Sequence, residues 1–387
     1  MKTYLLFRRI SLLVLLMYGT GTTILAQNPF SQCIDSVLAN QCAIDTSLPL
    51  SFSFQSQAFL KNNEFFGVIT EGYTLFGYWA NPSLKYQLTN ELSLRTGIWI
   101  QKYFGLDTFS HVSPSYTASY APSPHFLLEI GDLSWNLEDV VLPLRNEERM
   151  FASPQHEGLL MRINRKHFYA STWIEWDEFL FHNENKQEEL NLCANYKLFL
   201  VRNDFLTLSI PFQAVVHHKG GQINSISKKD LVMVLNNAAG GDVTFALKDV
   251  NVGFKYFFCG FADLASAPYS HYKNGLGHLA MLDAKFRNYS VGYSYWAADQ
   301  YLSALGTQML NTVSDIPGDL YYEQKRNLSM LYCKYQKHIS SNAYFSVGGM
   351  GYFDHNNDAF EYYYWFNLAV DFERKIFFFQ NKAQIPK

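Results

Sequence analysis

Residues 189–216 read ELNLCANYKLFLVRNDFLTLSIPFQAVV, and this stretch decides the fold. From Leu190 to Leu200 apolar side chains occupy every second position, and mostly polar ones such as Asn191 and Asn195 lie between them. A period of two indicates a β-strand with one apolar and one polar face. The alternation returns after the polar turn at 202–204, so the stretch predicts an antiparallel hairpin. Each arm has about the ten residues that a tilted strand needs to cross a bilayer.

The same design recurs along the chain. In Leu92–Tyr103 apolar residues alternate with Ser93, Arg95 and Gln101. A soluble core seldom accepts inward-facing arginine and glutamine, whereas a water-filled barrel does. Strands are predicted at 51–61, 71–80, 83–89, 92–103, 115–120, 125–133, 158–164, 167–176, 189–201, 205–216, 243–258, 275–286, 289–297, 328–337, 343–353 and 361–371, with a further one possible at 375–380. We therefore predict an all-β fold, a transmembrane antiparallel up-and-down β-barrel of about 14–16 strands.

The connections between these strands alternate in length. Short turns are predicted at 165–166, 202–204, 287–288 and 340–342, and long insertions at 136–156, 217–241 and 298–324. Short periplasmic turns and long external loops are typical of outer-membrane barrels. Asn81-Pro82 is predicted to be a turn between two strands. A change of alternation near Asp249 is predicted to be a bulge inside the strand at 243–258.

The N-terminus predicts export. A basic stretch, Lys2–Arg9, precedes an apolar run, Ile10–Tyr18, and small and polar residues lead on to Ala26. This layout is that of a secretory signal peptide cleaved after Ala26. A membrane anchor is the alternative, but the apolar run is shorter than the about 20 residues of a spanning helix. The chain thus divides into a signal peptide at 1–26, a periplasmic N-terminal segment at 27–48, the barrel at 49–380 and a C-terminal tail at 381–387.

Composition and cysteine usage fit an exported barrel. Aromatic residues make up 17% of the chain, which suits girdles at the membrane interfaces. A net charge of −3 gives no reason to expect a nucleic-acid partner. Cys33 and Cys42 are predicted to form a disulfide, with two unpaired thiols as the alternative. Cys193, Cys259 and Cys333 lie singly in strands and are predicted to be packing residues. None has metal-ligand spacing, so neither a metal nor another cofactor is predicted.

No nucleophile set for a hydrolase stands out in the sequence. Ser290 and Ser294 share a strand, and His271, His278 and Asp299 lie nearby in sequence, but their spacing matches no hydrolase motif. The His-x-Ser-Asn-Gly stretch around which outer-membrane phospholipases resemble one another is absent. We therefore predict that the protein is not an enzyme. An outer-membrane hydrolase is the distant alternative.

Three polar clusters have a functional and a plain interpretation. Glu175, Asp177 and Glu178 beside two tryptophans suit acid–base work, a cation or a sugar, but a strand that ends at an aromatic girdle explains them too. The cluster 354–358 resembles a calcium loop, yet it lacks the ordered spacing, so a hairpin turn is favoured. His217 and His218 point to opposite faces of a strand, which argues against a shared metal.

Charged residues of the first insertion are predicted to form a constriction. Opposite charges on a loop folded into a barrel would narrow it and set its selectivity, whereas the same loop outside the barrel would only be solvated. The candidate set in this insertion is Arg145, Glu147, Glu148 and Arg149. The predicted lumen wall adds basic residues at Arg95, Lys197, Lys248, Lys255 and Lys334 and acidic ones at Glu175 and Asp283.

In architecture the stretch Phe52–Phe379 resembles the porin-like outer-membrane β-barrels of Gram-negative bacteria. The resemblance implies insertion into outer-membrane lipid and passage or binding of a small hydrophilic solute. Such barrels commonly end in an aromatic residue, whereas here eight residues follow Phe379. The alternative function is a plugged barrel that serves as a scaffold, with an outer-membrane or periplasmic protein partner in export or surface assembly.

Overall fold

The computed structural model describes residues 50–134, 140–152, 155–222, 225–227, 229–318 and 321–376. These residues form strands β1 to β16, one α-helical turn, α1, at Arg149–Ala152, and one 3-10 turn at Gln308–Leu310. The strands, in chain order, are Leu50–Glu64, Thr74–Gln87, Leu92–Tyr103, His111–Ser123, Phe126–Asp132, Glu157–Asn164, Phe168–Glu178, Glu189–Arg202, Leu206–Lys219, Val232–Leu247, Val250–Asp263, Asn274–Phe286, Tyr289–Asp299, Lys325–Ser340, Ala343–Asp354 and Ala359–Lys375.

Each strand pairs with its sequence neighbours, and β1 pairs with β16, so the sheet closes on itself. Every pairing is antiparallel, for example Leu192 opposite Val216 in the β8–β9 hairpin. Closure leaves no edge strand with unpaired backbone groups, which is the condition for crossing a lipid bilayer as a sheet. The predicted fold class, an antiparallel up-and-down barrel, is confirmed, with 16 strands.

Two local predictions are wrong, and their errors cancel in the strand count. Asn81-Pro82 lies inside β2, where Asn81 is buried and donates a hydrogen bond to Ser115 Oγ at 3.2 Å. The pairing of β2 with β3 is interrupted there, because proline has no N–H to donate. The predicted insertion 217–241 instead contains most of β10, and Lys248-Asp249 is the turn to β11 rather than a bulge. The pairs Asn236-Asn237 and Gly240-Gly241 are typical of turns, and they led to the prediction of a loop where β10 lies.

The outer surface of the barrel is apolar and rich in aromatic residues. Leu192, Leu198 and Leu200 of the opening hairpin are all exposed on it. Exposed aromatic side chains surround the wall, among them Phe76, Tyr86, Tyr116, Phe212, Phe254, Tyr293, Phe360 and Phe366. A continuous exposed surface of this kind requires lipid rather than water around it. Separately, none of the helices among the described residues is long and apolar enough to span a membrane.

The two ends of the barrel differ, and we call them the loop end and the turn end. The turn end carries the short hairpin turns, such as 203–205 and 287–288, together with the start of β1. The loop end carries the long connections, including 133–156 and 300–324, whose described residues fold back into the lumen. Their buried apolar side chains pack against the inner wall: Val140, Val141, Leu142, Leu144, Phe151, Tyr301, Leu302, Met309 and Leu310. We call the segments 140–152 and 301–313 the plug.

Several predictions lie outside the described residues. They are the signal peptide at 1–26, the N-terminal segment at 27–48, the Cys33–Cys42 disulfide, the last part of 375–380 and the tail at 381–387. Of the other cysteines, Cys193 and Cys259 are buried, and Cys333 is exposed on the outer face. These three are free thiols.

Candidate functional site

One buried carboxylate on β7 anchors the plug to the wall. Arg145 donates to Glu175 Oε1 at 2.8 Å, and Arg149 donates to Oε2 at 3.1 Å. Trp173 Nε1 donates to Oε1 at 2.9 Å, and the Arg145 guanidinium lies 5.6 Å from the centre of the Trp173 ring. Glu175 is fully buried, so the two arginines compensate a charge that water does not reach.

The same carboxylate belongs to the one set of described residues that could geometrically hold a metal ion: His156, Glu175 and Asp177. Arg149 donates to His156 Nδ1 at 3.0 Å, and Asp177 accepts from Asn191 at 2.8 Å. The guanidinium groups of Arg145 and Arg149 therefore already neutralise the negative charge of Glu175. Their positive charge disfavours a cation at this place.

A second group of contacts joins the plug to β1 and to the residue before β2. Glu148 is buried and is paired with Lys61, and it accepts hydrogen bonds from Asn63 Nδ2 at 2.9 Å and from Tyr73. The neighbouring Glu147 accepts from the Tyr363 hydroxyl on β16. Two consecutive carboxylates of the plug are thus held by different partners on different strands.

These carboxylates line a cavity of about 70 Å³ at the loop end. Water needs only about 10–15 Å³ of such space, so the cavity has room for several molecules. Burial raises the pKa of Glu147 to about 7, although the Tyr363 hydrogen bond and the charge of Lys61 oppose it. Burial also acts on Glu148, but the charge of Lys61 and hydrogen bonds from Lys61, Tyr73 and Asn63 hold its pKa below the usual value. The pair therefore offers one proton acceptor active near neutral pH and one fixed anion.

The second plug segment is held by its own buried ion pair. Arg326 on β14 donates to Glu323 at 2.7 Å, to Asp354 at 2.8 Å and to the Met309 carbonyl at 2.8 Å. Asp354 also accepts from the backbone of Asn356 at 2.9 Å. The cluster 354–358 is therefore organised as a turn that supports Arg326.

The structure brings the predicted constriction residues together inside the barrel. Arg145, Glu147, Glu148 and Arg149 all lie on the plug segment 140–152, and Glu175 faces them from the wall. Arg95, Lys197, Lys255 and Asp283 lie on the inward-facing side of their strands. Lys334 is buried on the same side of β14, whereas the prediction for Lys248 is wrong, because it lies exposed in the β10–β11 turn. Arg95 borders a cavity of about 270 Å³ at the turn end.

The serines and histidines considered as a hydrolase set lie apart. Ser290 and Ser294 face the lumen, while His278 contacts Tyr256 on the outer face at 2.6 Å. The structure instead shows two serine–histidine contacts that sequence reasoning missed. Ser113 lies 2.9 Å from His111, and Ser329 lies 2.8 Å from His355. All four residues lie toward the loop end, and both histidines are exposed.

Sequence reasoning also missed Lys61, Asn63, Tyr73 and Tyr363 as site residues. Lys61 and Asn63 occupy inward-facing positions of β1. A lysine at an inward-facing position is unusual enough to indicate a buried partner, and the alternation in the sequence could have revealed it. The partnership of Tyr363 with Glu147 joins positions 216 residues apart, and no local pattern indicates it.

The closed wall, the apolar belt and the filled lumen define a porin-like outer-membrane-type β-barrel. Structure comparison agrees on the fold. A loop-deletion variant of OmpT from Vibrio cholerae matches with a TM-score of 0.50 at 10% identity, over 84% of this chain and 99% of that one. OpdL of Pseudomonas aeruginosa gives 0.49 at 9% identity over 84% and 99%, and OprD of the same organism gives 0.47 at 10% over 85% and 94%.

The chain belongs to the lipid A 3'-O-deacylase-type family, whose model matches residues 43–379. A search of curated proteins found no match. The family is described by an enzymatic activity, and its model covers the plug and the whole described barrel. The prediction that the protein is not an enzyme is therefore wrong. That prediction rested on the absence of a serine motif. The absence of such a motif says nothing about an active site that is assembled from residues of different strands and loops.

Proposed function

We propose that this protein is an outer-membrane hydrolase that removes an ester-linked acyl chain from lipid A or a closely similar glycolipid. The observation that carries the proposal is the Glu147–Glu148 pair, two adjacent carboxylates in one cavity with oppositely shifted pKa values. Environments that separate the pKa values of neighbouring acids indicate an acid–base division of roles. Family membership supplies the class of bond.

The residues of the cavity fit a water-mediated ester hydrolysis. Glu147 accepts a proton from water, and the water oxygen forms a bond to the ester carbonyl carbon. The ester C–O bond then breaks, the acyl group leaves as a carboxylic acid, and the alcohol oxygen of the sugar takes up the proton from Glu147. Lys61, held in place by Glu148, supplies positive charge beside the carbonyl oxygen as negative charge develops on it.

The location of the cavity suits this substrate class. Long loops of outer-membrane barrels face outward, where lipid A forms the outer leaflet. The cavity lies at that end, between β1, β16 and the plug. A lipid that approaches from outside therefore meets the carboxylate pair without crossing the barrel.

The test uses purified full-length protein in detergent micelles with purified lipid A, and mass spectrometry follows the released fatty acid. We expect Glu147→Gln to lower kcat by about 100-fold or more, as loss of a general base does. Since only the deprotonated carboxylate accepts a proton, the wild-type rate should rise with pH through about 7.

Two further variants make the result specific. Glu184→Gln changes a partly exposed carboxylate of the β7–β8 loop, far from the cavity lining, and should leave kcat unchanged. Ser329→Ala removes the serine of the outward-facing contact with His355 and should also leave it unchanged. Full activity of Glu147→Gln, or loss of activity in Ser329→Ala, would move the reaction out of the cavity.

Binding of a small hydrophilic solute is a second candidate function, supported by the turn-end cavity. That cavity, about 270 Å³, is lined by Lys85, Arg95, Glu129 and Glu373 among others. Mixed charges in a concave site suit a small polar molecule. Isothermal titration with a series of amino acids and sugars would test it, and equal heats for wild type and Arg95→Ala would count against it.

A further inference from the structure

We infer that a second cavity at the loop end binds a saccharide ring. This cavity, about 620 Å³, lies between the β11–β12 connection and the second plug segment. Binding of a sugar in this cavity does not require that Glu147 take part in hydrolysis. Three observations carry the inference: an aromatic surface, a set of amide and carboxylate groups, and the charge of the lining.

The aromatic surface is a stacked pair of rings. The centres of the His271 and Tyr322 rings lie 3.6 Å apart with 19° between their planes. Tyr272 packs edge-on against both rings. Tyr322 is 49% exposed, so one flat face remains available beside the cavity. The axial C–H groups of a sugar ring pack well on such a face, because the electron-rich face attracts the weakly positive hydrogens.

The aromatic pair is held by local structure rather than by chance contact. Val313 and Tyr322 form an isolated antiparallel bridge. The Glu323 N–H donates to the Thr312 carbonyl at 2.9 Å, and the Ser314 N–H donates to the Tyr321 carbonyl at 3.0 Å. A small hairpin thus fixes the ring of Tyr322 before any ligand arrives, which lowers the entropy lost on binding.

Amide and carboxylate groups line the same cavity as the aromatic surface. Gln308 and Asn311 come from the second plug segment, and Asp315 follows it. Asn311 is buried and orients Gln308, since its Oδ1 accepts from the Ser303 N–H at 2.9 Å and its Nδ2 donates to Gln308 Oε1 at 2.6 Å. The amide of Gln308 and the carboxylate of Asp315 suit vicinal hydroxyl groups, which both donate and accept hydrogen bonds.

The charge of the lining selects among possible ligands. The described residues that line this cavity include no lysine or arginine, and one of them, Asp315, is a carboxylate. A phosphate or carboxylate ligand would meet no lysine or arginine among these residues. A neutral sugar or an amino sugar fits the lining better.

The saccharide cavity adjoins the carboxylate cavity. Gln308 and Asp315 line both. A sugar ring on the Tyr322 surface would therefore lie beside the Glu147–Glu148 pair, as a substrate with an ester on a sugar requires.

Saturation-transfer NMR on the full-length protein in detergent tests the inference, with N,N'-diacetylchitobiose as the probe. Inorganic phosphate is the contrasting anion, and its binding is measured by the width of its phosphorus NMR line. We expect saturation of the sugar ring C–H signals and no binding of phosphate. Tyr322→Ala should weaken binding by about tenfold, and Tyr322→Phe should retain it because the stacking face remains.

The controls separate this inference from the proposed hydrolysis. Glu147→Gln should bind chitobiose as the wild type does, and Tyr293→Phe on the lipid-facing wall should have no effect. If Tyr322→Ala does not fold, His271→Ala tests the same stacked pair. Absence of saturation in the wild type, or equal binding by Tyr322→Ala, would overturn the saccharide site even if lipid A is hydrolysed. Binding without hydrolysis would overturn only the proposed enzyme.

Discussion

The loop-end half and the turn-end half of this barrel share one wall but hold different contents. At the loop end, plug residues such as Leu144 and Phe151 pack inside the wall, and Arg145 is paired with fully buried Glu175. At the turn end, polar residues such as Ser53 and Arg95 border a cavity, and the ion pair Lys85–Glu373 is about one-third exposed on each side. The alternation of apolar and polar residues along the strands therefore specifies the wall of the barrel but not whether its lumen is filled or open.

The difference is one of dielectric environment. An ion pair in a water-accessible cavity contributes little, because water screens both partners. Removal of one partner from an ion pair buried among apolar side chains strongly destabilises the structure, because it leaves the other charge buried without compensation. The same residue types thus position a plug at one end and only line a cavity at the other.

The largest expected effect comes from removing the plug. Replacement of residues 140–152 and 301–313 by glycine–serine linkers of equal length should open the lumen, because Phe151, Leu310 and their apolar neighbours then no longer fill it. Planar-bilayer recording should show stable conductance steps for this variant and none for the wild type. Steps of equal size in both proteins would contradict a loop-end closure.

A paired substitution compares the two ends directly. Glu175→Gln leaves Arg145 and Arg149 without their shared carboxylate and should cost about 3–5 kcal/mol in local stability. Glu373→Gln at the turn end should cost about 0–1 kcal/mol. Hydrogen exchange of the amides at 140–152 measures the first, and exchange near the β1 terminus measures the second. Equal costs would remove the distinction between the halves.

The stability of the plug should depend on pH. Burial raises the pKa of Glu147 to about 7, so the folded state holds this proton more tightly than the unfolded state does. The contribution of Glu147 to plug stability is complete below its ordinary pKa and is lost as pH rises through about 7. Exchange rates at 140–152, corrected for intrinsic chemistry, should increase between pH 5 and 8 in the wild type. Glu147→Gln should abolish this increase. If the Glu147→Gln variant shows the same pH dependence as the wild type, another titrating group causes it.

The smallest effect is expected at the turn end. In the variant that lacks the plug, Arg95→Glu should shift ion selectivity toward cations about twofold, because a charge on the wall of a wide aqueous lumen is well screened. Reversal potentials in a salt gradient measure the shift. A shift of tenfold or more would mean that the turn end, rather than the plug, forms the narrowest point.

The sequence predicts the wall well and the contents poorly, for a physical reason. The Leu190–Val216 hairpin and its turn follow from a period of two, which any lipid-facing strand must keep. Asn236 in β10 breaks that expectation because its partner, the Leu302 carbonyl, belongs to the plug. Likewise Arg145–Glu175 and Glu147–Tyr363 join distant positions through packing. The charged set on the insertion was visible in the sequence, but its partners on the wall were not.

The most direct test of lipid A deacylation at the Glu147 cavity is a mass spectrum of lipid A from Gram-negative cells that express this protein in their outer membrane. We expect a species lighter by one ester-linked acyl chain with the wild type and its absence with Glu147→Gln, at matched levels of folded barrel. Unchanged lipid A with the wild type, or the same lighter species with Glu147→Gln, would contradict it.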